Sequence, residues 1–209
     1  MSIILKRFKT IINRFLLLFE VRTISVKGNV VFLTFDDGPE TGITDFVLDE
    51  LKKYDYKATF FCRGDNAEKN KELFERIKKE GHSIGNHTYS HINCFETSKN
   101  EYLADIEHAN EILKCHLFRP PWGDLTLPVW IRLLKKYKIV YWNLESGDTG
   151  MERLNKDIAL GRLFSHTHRG DVVLFHNCQR HAKETRILLP EYLQWLYSHN
   201  YKSLAINDR

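Results

Sequence analysis

The chain has 209 residues, 43% hydrophobic and 28% charged, which suits one globular domain with a full core and excludes a disordered chain. Its net charge of +4 is uneven: residues 1–29 sum to +5 and the other 180 to −1, so the basic character belongs to one segment and does not mark a nucleic-acid-binding domain. No apolar run reaches the roughly 20 residues that a transmembrane helix needs, and there is no internal repeat.

The basic segment is patterned as a helix. Ile4, Phe8, Ile11, Ile12, Phe15, Leu18 and Phe19 recur at three- and four-residue steps, with Lys6, Arg7, Lys9 and Arg14 between them. Arg14 and Glu20 bound an apolar run of five residues, too short for the core of a secretory signal. Two readings stay open: a helix packed on the domain, or a basic helix making peripheral contact with an anionic membrane. The expected division is therefore an N-terminal helix and linker over residues 1–29 and one globular domain over 30–209. The cysteines (Cys62, Cys94, Cys115 and Cys178) form no CxxC pair, so free thiols in a reducing compartment are expected. That places the chain in the cytoplasm, or at the inner face of the membrane if the helix binds lipid.

Downstream, strands and helices alternate. Residues 30–35 read as a buried strand, 43–54 as a helix, 58–62 as a strand and 66–80 as a helix ended by Gly81. A short strand at 83–84 precedes a helix over 99–113. A strand at 117–119 is stopped by Pro120-Pro121, and a helix over 127–137 leads to a strand at 139–142. Helix 152–164, strand 171–176, helix 184–198 and a last strand within 201–206 complete the chain. This alternation predicts a parallel α/β sheet. Residues able to do chemistry (Asp36, Asp37, His87, Arg119, Asp148, His176) recur just after strands, as in a closed or nearly closed (β/α) barrel. An open doubly wound sheet fits less well, because no Gly-rich loop follows the first strand.

Four motifs carry the chemistry. In Thr34-Phe35-Asp36-Asp37-Gly38-Pro39, one carboxylate can hold a metal while its neighbour serves as a base; alone, the motif would read as a solvated acidic turn. His87-Thr88-Tyr89-Ser90-His91 sets two imidazoles four residues apart, on one helix face or converging in a tight turn, and with one carboxylate they make a three-ligand site. Cys94 is not needed in that set. In Arg119-Pro120-Pro121-Trp122-Gly123, Arg119 can pair with a carboxylate, and Trp122 can offer a ring to a sugar or an N–H to an oxyanion. Leu174-Phe175-His176 ends a strand with a candidate general acid, for which Asp148 is the first candidate partner and Glu145 the second.

Together and in this order, the motifs resemble the NodB-type polysaccharide deacetylases, carbohydrate esterase family 4, from about Val31 to the C-terminus. The resemblance implies a distorted (β/α) barrel and a metal-dependent amide or ester hydrolase. Carried over by position, it implies Asp37, His87 and His91 as ligands of one divalent metal, usually zinc, with Asp36 as general base and His176 as general acid. Arg119 would orient Asp36, Asp148 would tune His176, the Trp122 N–H would face the oxyanion, and Pro121, Trp122 and Leu174 would meet substrate. The expected reaction removes N-acetyl groups from an amino-sugar glycan: a chitooligosaccharide, peptidoglycan or a lipid-linked sugar. An O-acetyl esterase and an inactive glycan-binding barrel are the alternatives. Thr149 stands where the family usually has Trp, Glu145 at an earlier acidic position, and Asn177 where Asp is common.

Overall fold

The computed structural model describes residues 21–149 and 155–207; the expected N-terminal helix and the start of the helix expected at 152 lie outside the described residues. Strand β1 (Val30–Asp36) is buried throughout, and the period-two geometry of a strand divides its side chains between two cores. Val31, Leu33 and Phe35 point outward into the cluster formed with the helices. Val30 and Phe32 point inward, to a smaller cluster with Phe61, Leu117 and Val172. Thr34 and Asp36 share this inward parity, which puts a carboxylate inside the barrel at the strand's C-terminal end.

The remaining elements follow in order: α1 (Ile43–Lys53), β2 (Ala58–Cys62), α2 (Gly64–Lys69), α3 (Lys71–Lys79), β3 (Ser83–Asn86), α4 (Lys99–Leu113), β4 (Leu117–Phe118), α5 (Leu127–Leu133), β5 (Lys138–Ile139), β6 (Leu144–Glu145), α6 (Lys156–His166), β7 (Val172–His176), α7 (Ala182–Ser198) and β8 (Lys202–Ser203). The sheet runs β5-β4-β3-β2-β1-β7-β6, parallel at every pairing, with β8 beside the start of β1. It is a distorted (β/α) barrel whose seam lies between β5 and β6. Residues 21–24 bridge that seam: Val21 N–H donates to Ile139 O (3.1 Å), Val21 O accepts from Tyr141 N–H (2.9 Å), and Ile24 N–H donates to Gly170 O (2.8 Å).

Several elements differ from the sequence expectation. The helix expected over 66–80 is two helices, α2 and α3, broken at Asn70 (φ −118°, ψ 54°), whose side-chain amide donates to Pro39 O and Asn66 O, both at 3.0 Å. Local amide bonding competes with helix continuation here and ties the break to the turn after β1. The strand expected at 139–142 is only β5, because the carbonyls of Val140 and Tyr141 turn to accept bonds from Arg119. A separate two-residue strand, β6, follows; it is too short to show a period. Helix α5 ends at Leu133, four residues early.

Candidate active site

The register of β1 against β7 builds the first half of the site. Thr34 lies opposite Leu174 and Asp36 opposite His176, all with inward parity, so a carboxylate and an imidazole stand side by side at the barrel mouth. Arg119, at the end of β4, is fully buried and closes the space beneath them. Its Nη1 donates to Asp36 Oδ1 (2.7 Å) and Thr34 Oγ1 (2.8 Å), its Nε to Val140 O (3.1 Å) and its Nη2 to Tyr141 O (2.9 Å). The Phe61 ring lies 4.1 Å from the guanidinium carbon. A buried cation is tolerable only when paired and bonded in this way. The pairing uses Asp36 Oδ1 and leaves Oδ2 facing His87, 3.9 Å from its Nε2.

The second half comes from turns. His87 to His91 form no helix; the two rings converge, with centroids 5.1 Å apart, because Thr88 (φ 64°) and His91 (φ 59°) adopt left-handed backbone. Asp37 (φ 75°) and Trp122 (φ 56°) do the same. Each such residue costs of order 1–3 kcal/mol and persists only when its surroundings hold it there. At Asp37 the surroundings include Asn177, whose side chain accepts from Gly38 N–H (3.1 Å) and donates to Thr44 Oγ1 (2.9 Å). Gly38 has to be glycine, since a Cβ there would come within 2.1 Å of the Asn177 amide nitrogen. Asn177, which replaces a common Asp, is thus a bonded strut of the DDGP turn.

Asp37 Oδ1 sits 3.1 Å from His91 Nε2 and 3.5 Å from His87 Nε2, yet it is buried and accepts no well-aligned hydrogen bond. His87 Nδ1 is 2.7 Å from Arg119 O, a carbonyl that can only accept, so Nδ1 carries the proton and Nε2 presents its lone pair to Asp37. Burial also pushes the His87 imidazole below its usual range, towards the neutral form a ligand needs. At Asp37, burial alone would raise the carboxyl, but the His91 contact and the charges of His87 and His176 outweigh it and hold the carboxyl well below the usual range. The ring nitrogens of His87 and His91 facing an orphaned carboxylate oxygen fit a divalent cation, and this donor set leaves positions open for water and substrate.

His176 is the third imidazole. Its Nδ1 lies 3.0 Å from Asp148 Oδ1, while Asp148 Oδ2 accepts from the His176 backbone N–H (2.6 Å) and Thr185 Oγ1 (3.1 Å). Nδ1 therefore donates to Asp148. Burial pulls the His176 pKa down, but the Asp148 charge and hydrogen bond prevail and push it up to about 9. Glu145, the second candidate partner, turns elsewhere and accepts from Trp142 Nε1 (2.7 Å).

These groups meet in a cleft of about 350 Å³ lined by Asp36, Asp37, His87, His91, Trp122 and Leu174 on its inner side, with His176 beside them. Arg119 and Asp148 stand behind the wall and act through Asp36 and His176. Pro121 is buried in the turn that carries Trp122 and does not line the cleft. Trp122 is 57% exposed at the rim, with its ring edge-on to His91 (4.3 Å). Glu145 and Thr149 also line the cleft, as do Trp142, Arg180 and His181, which sequence reasoning did not single out. The signal for Arg180 and His181 was their position just past β7, where the other site residues also follow strand ends. Cys94 is packed in a separate cluster, and all four cysteines are free and buried.

Carboxylates and imidazoles gathered at the strand ends of a (β/α) barrel are the layout of a barrel hydrolase. The polysaccharide deacetylase profile matches residues 23–142. The chain is 37% identical over 154 residues to a peptidoglycan-N-acetylglucosamine deacetylase of Bacillus cereus, covering 70% of this chain and 55% of that protein. It is similar in structure to the Bc1960 peptidoglycan N-acetylglucosamine deacetylase, solved with 4-naphthalen-1-yl-N-oxidanyl-benzamide: TM-score 0.82 at 30% identity, over 90% of this chain and 91% of that one. The peptidoglycan deacetylase PdaC of Bacillus subtilis aligns with a TM-score of 0.77 at 28% identity, over 88% of this chain and 90% of that one. The chain belongs to the polysaccharide deacetylase family.

Proposed function

We propose that the protein is a metal-dependent N-deacetylase that releases acetate from N-acetylated amino-sugar chains of the peptidoglycan type. The observation that carries this reading is the pairing of Asp36 and His176 on one rung of the sheet, beside the Asp37, His87 and His91 donor set. The names of the similar proteins point to peptidoglycan among N-acetylated glycans.

A divalent cation held by Asp37, His87 and His91, zinc by the chemistry of that set, would supply carbonyl polarisation and acidify water. The chain's own residues do the rest. Asp36 Oδ2, kept free by the Arg119 pairing, takes a proton from water as its oxygen attacks the acetamide carbon. The Trp122 backbone N–H is the chain's donor for the developing oxyanion, and Leu174 offers an apolar surface to the acetyl methyl group. His176 Nε2, with Nδ1 anchored on Asp148, gives its proton to the nitrogen as the C–N bond breaks. The products are acetate and a free amine.

The test is acetate release from peptidoglycan, chitooligosaccharide and acetylated xylan. Release from the N-acetylated glycans that is lost with chelator and restored by zinc is the expected result. Release from xylan alone makes the protein an O-acetyl esterase, and chelator-resistant release removes the metal from the reading.

The acid role carries a pH signature. His176 is competent while protonated, so activity falls as pH rises through its pKa. A cation at Asp37 repels the imidazolium, which sets that limit at or below about 9. In Asp148→Asn the largest raising charge is gone, leaving the smaller effects of Asp36 and Asp37, and burial still lowers the pKa. The alkaline limb of kcat/KM should therefore move to lower pH, with rate falling about 10²–10⁴-fold where the acid is lost. An unmoved limb would take His176 out of the acid role.

A further inference from the structure

The two oxygens of Asp37 face different neighbours. Oδ1 looks at His87 and His91; Oδ2 lies 3.6 Å from the Sγ of Cys178, a buried residue two positions past the end of β7. The loop that presents Cys178 is pinned at both sides. Asn177 N–H donates to Asp36 O (3.0 Å), and Cys178 O accepts from His181 N–H (3.2 Å). On the other strand, Asp37 O accepts from Asn66 (2.8 Å). Sulfur and carboxylate are thus held face to face by hydrogen bonds that fix the backbone on both sides.

A thiolate in that position would repel the carboxylate, so the contact requires either a proton or a cation between sulfur and oxygen. His181 could complete a second donor group, since one atom each from Asp37, Cys178 and His181 lie within 4.8 Å of one another. A cation there would face the His176 ring, 5.1 Å from that of His181 and paired with Asp148 as an acid. That favours the proton.

We propose that Cys178 is a positioning residue for the metal centre: its thiol donates to Asp37 Oδ2 and aims Oδ1 between His87 and His91. This rests on the reading of Asp37, His87 and His91 as ligands, not on the identity of the glycan. A thiol is a weak donor, but it is the one hydrogen-bond donor to Asp37 Oδ2 among the described residues.

The test compares wild type, Cys178→Ala and Cys178→Ser. Zinc affinity is read by competition with a chromophoric chelator, stoichiometry by titration, and sulfur ligation by the cobalt(II) spectrum. The expected result is one metal per chain, no thiolate-to-cobalt charge-transfer band, zinc binding weakened about tenfold in Cys178→Ala, and recovery in Cys178→Ser, which keeps the donor. Equal affinity in wild type and Cys178→Ala, or a loss of metal-free melting temperature alone, would reduce Cys178 to a packing residue and overturn the proposal. A thiolate band, or a second metal lost in Cys178→Ala, would overturn it by making the sulfur a ligand. Failure of the wild type to bind zinc overturns it together with the metal reading. Zinc binding as expected without acetate release removes only the deacetylase reading.

Discussion

Asp36→Asn should lower acetate release by about 10²–10⁴-fold, the span of general base catalysis, while zinc stays bound. The geometry separates the two effects. Asp36 is outside the donor set, and its Oδ2 is 3.9 Å from His87 Nε2, whereas Asp37 Oδ1 is 3.5 and 3.1 Å from the two imidazoles. Asparagine keeps the shape of the side chain and an oxygen for Arg119 but removes the proton acceptor. Arg119 loses its counter-charge and the variant should be less stable than wild type, but the hydrogen bonds to Thr34, Val140 and Tyr141 remain, so zinc content is read on the fraction that stays folded. Acetate release from peptidoglycan and zinc content of the same preparation are the two measurements. A variant that loses zinc with activity would make Asp36 a ligand; one that keeps full activity would place the base elsewhere.

Arg119→Leu should be the most destabilising change in the site, by about 3–5 kcal/mol, because it leaves a buried carboxylate without its cation. Asp36 is 3% exposed and Arg119 not at all, so water cannot replace the lost partner without entering the barrel. The Val140 and Tyr141 carbonyls, which left the β5 ladder to meet the guanidinium, would be orphaned as well. Arg119→Lys should rescue little, since an ammonium cannot reach all four acceptors in the plane of the fork. Denaturant midpoints give the readout. An unchanged midpoint in Arg119→Leu would mean that the pair contributes no net stability, and the role of Arg119 would narrow to orienting Asp36.

Several parts of this architecture were legible along the chain. Strands such as 58–62 and helices such as 99–113 have clear periods and end signals, and the structure has them with those bounds. Where local polar bonding competes with periodicity, the reading failed: Asn70 looks like an ordinary helical position until its amide is seen to hold Pro39. The strand at 139–142 failed for the same reason at longer range, because its carbonyls are claimed by a side chain some twenty residues earlier.

The site divides along a similar line. Residue type and order made Asp36, Asp37, His87, His91, Arg119 and His176 candidates at converging strand ends, and the family resemblance carried by their motifs joined them into one hypothesis. The run of residues 30–36, buried throughout, does not say which face is inward; the structure puts Asp36 inward with Thr34. What only the tertiary structure decided is which groups touch. The β1–β7 register sets Asp36 beside His176, left-handed turns swing His91 and Asp37 together, and Glu145 goes to Trp142 while Asp148 takes His176. None of these is a local property. Each depends on backbone conformations that are unfavourable for the residue in isolation or on a register fixed by packing, and both are held in place only by contacts between segments far apart in sequence.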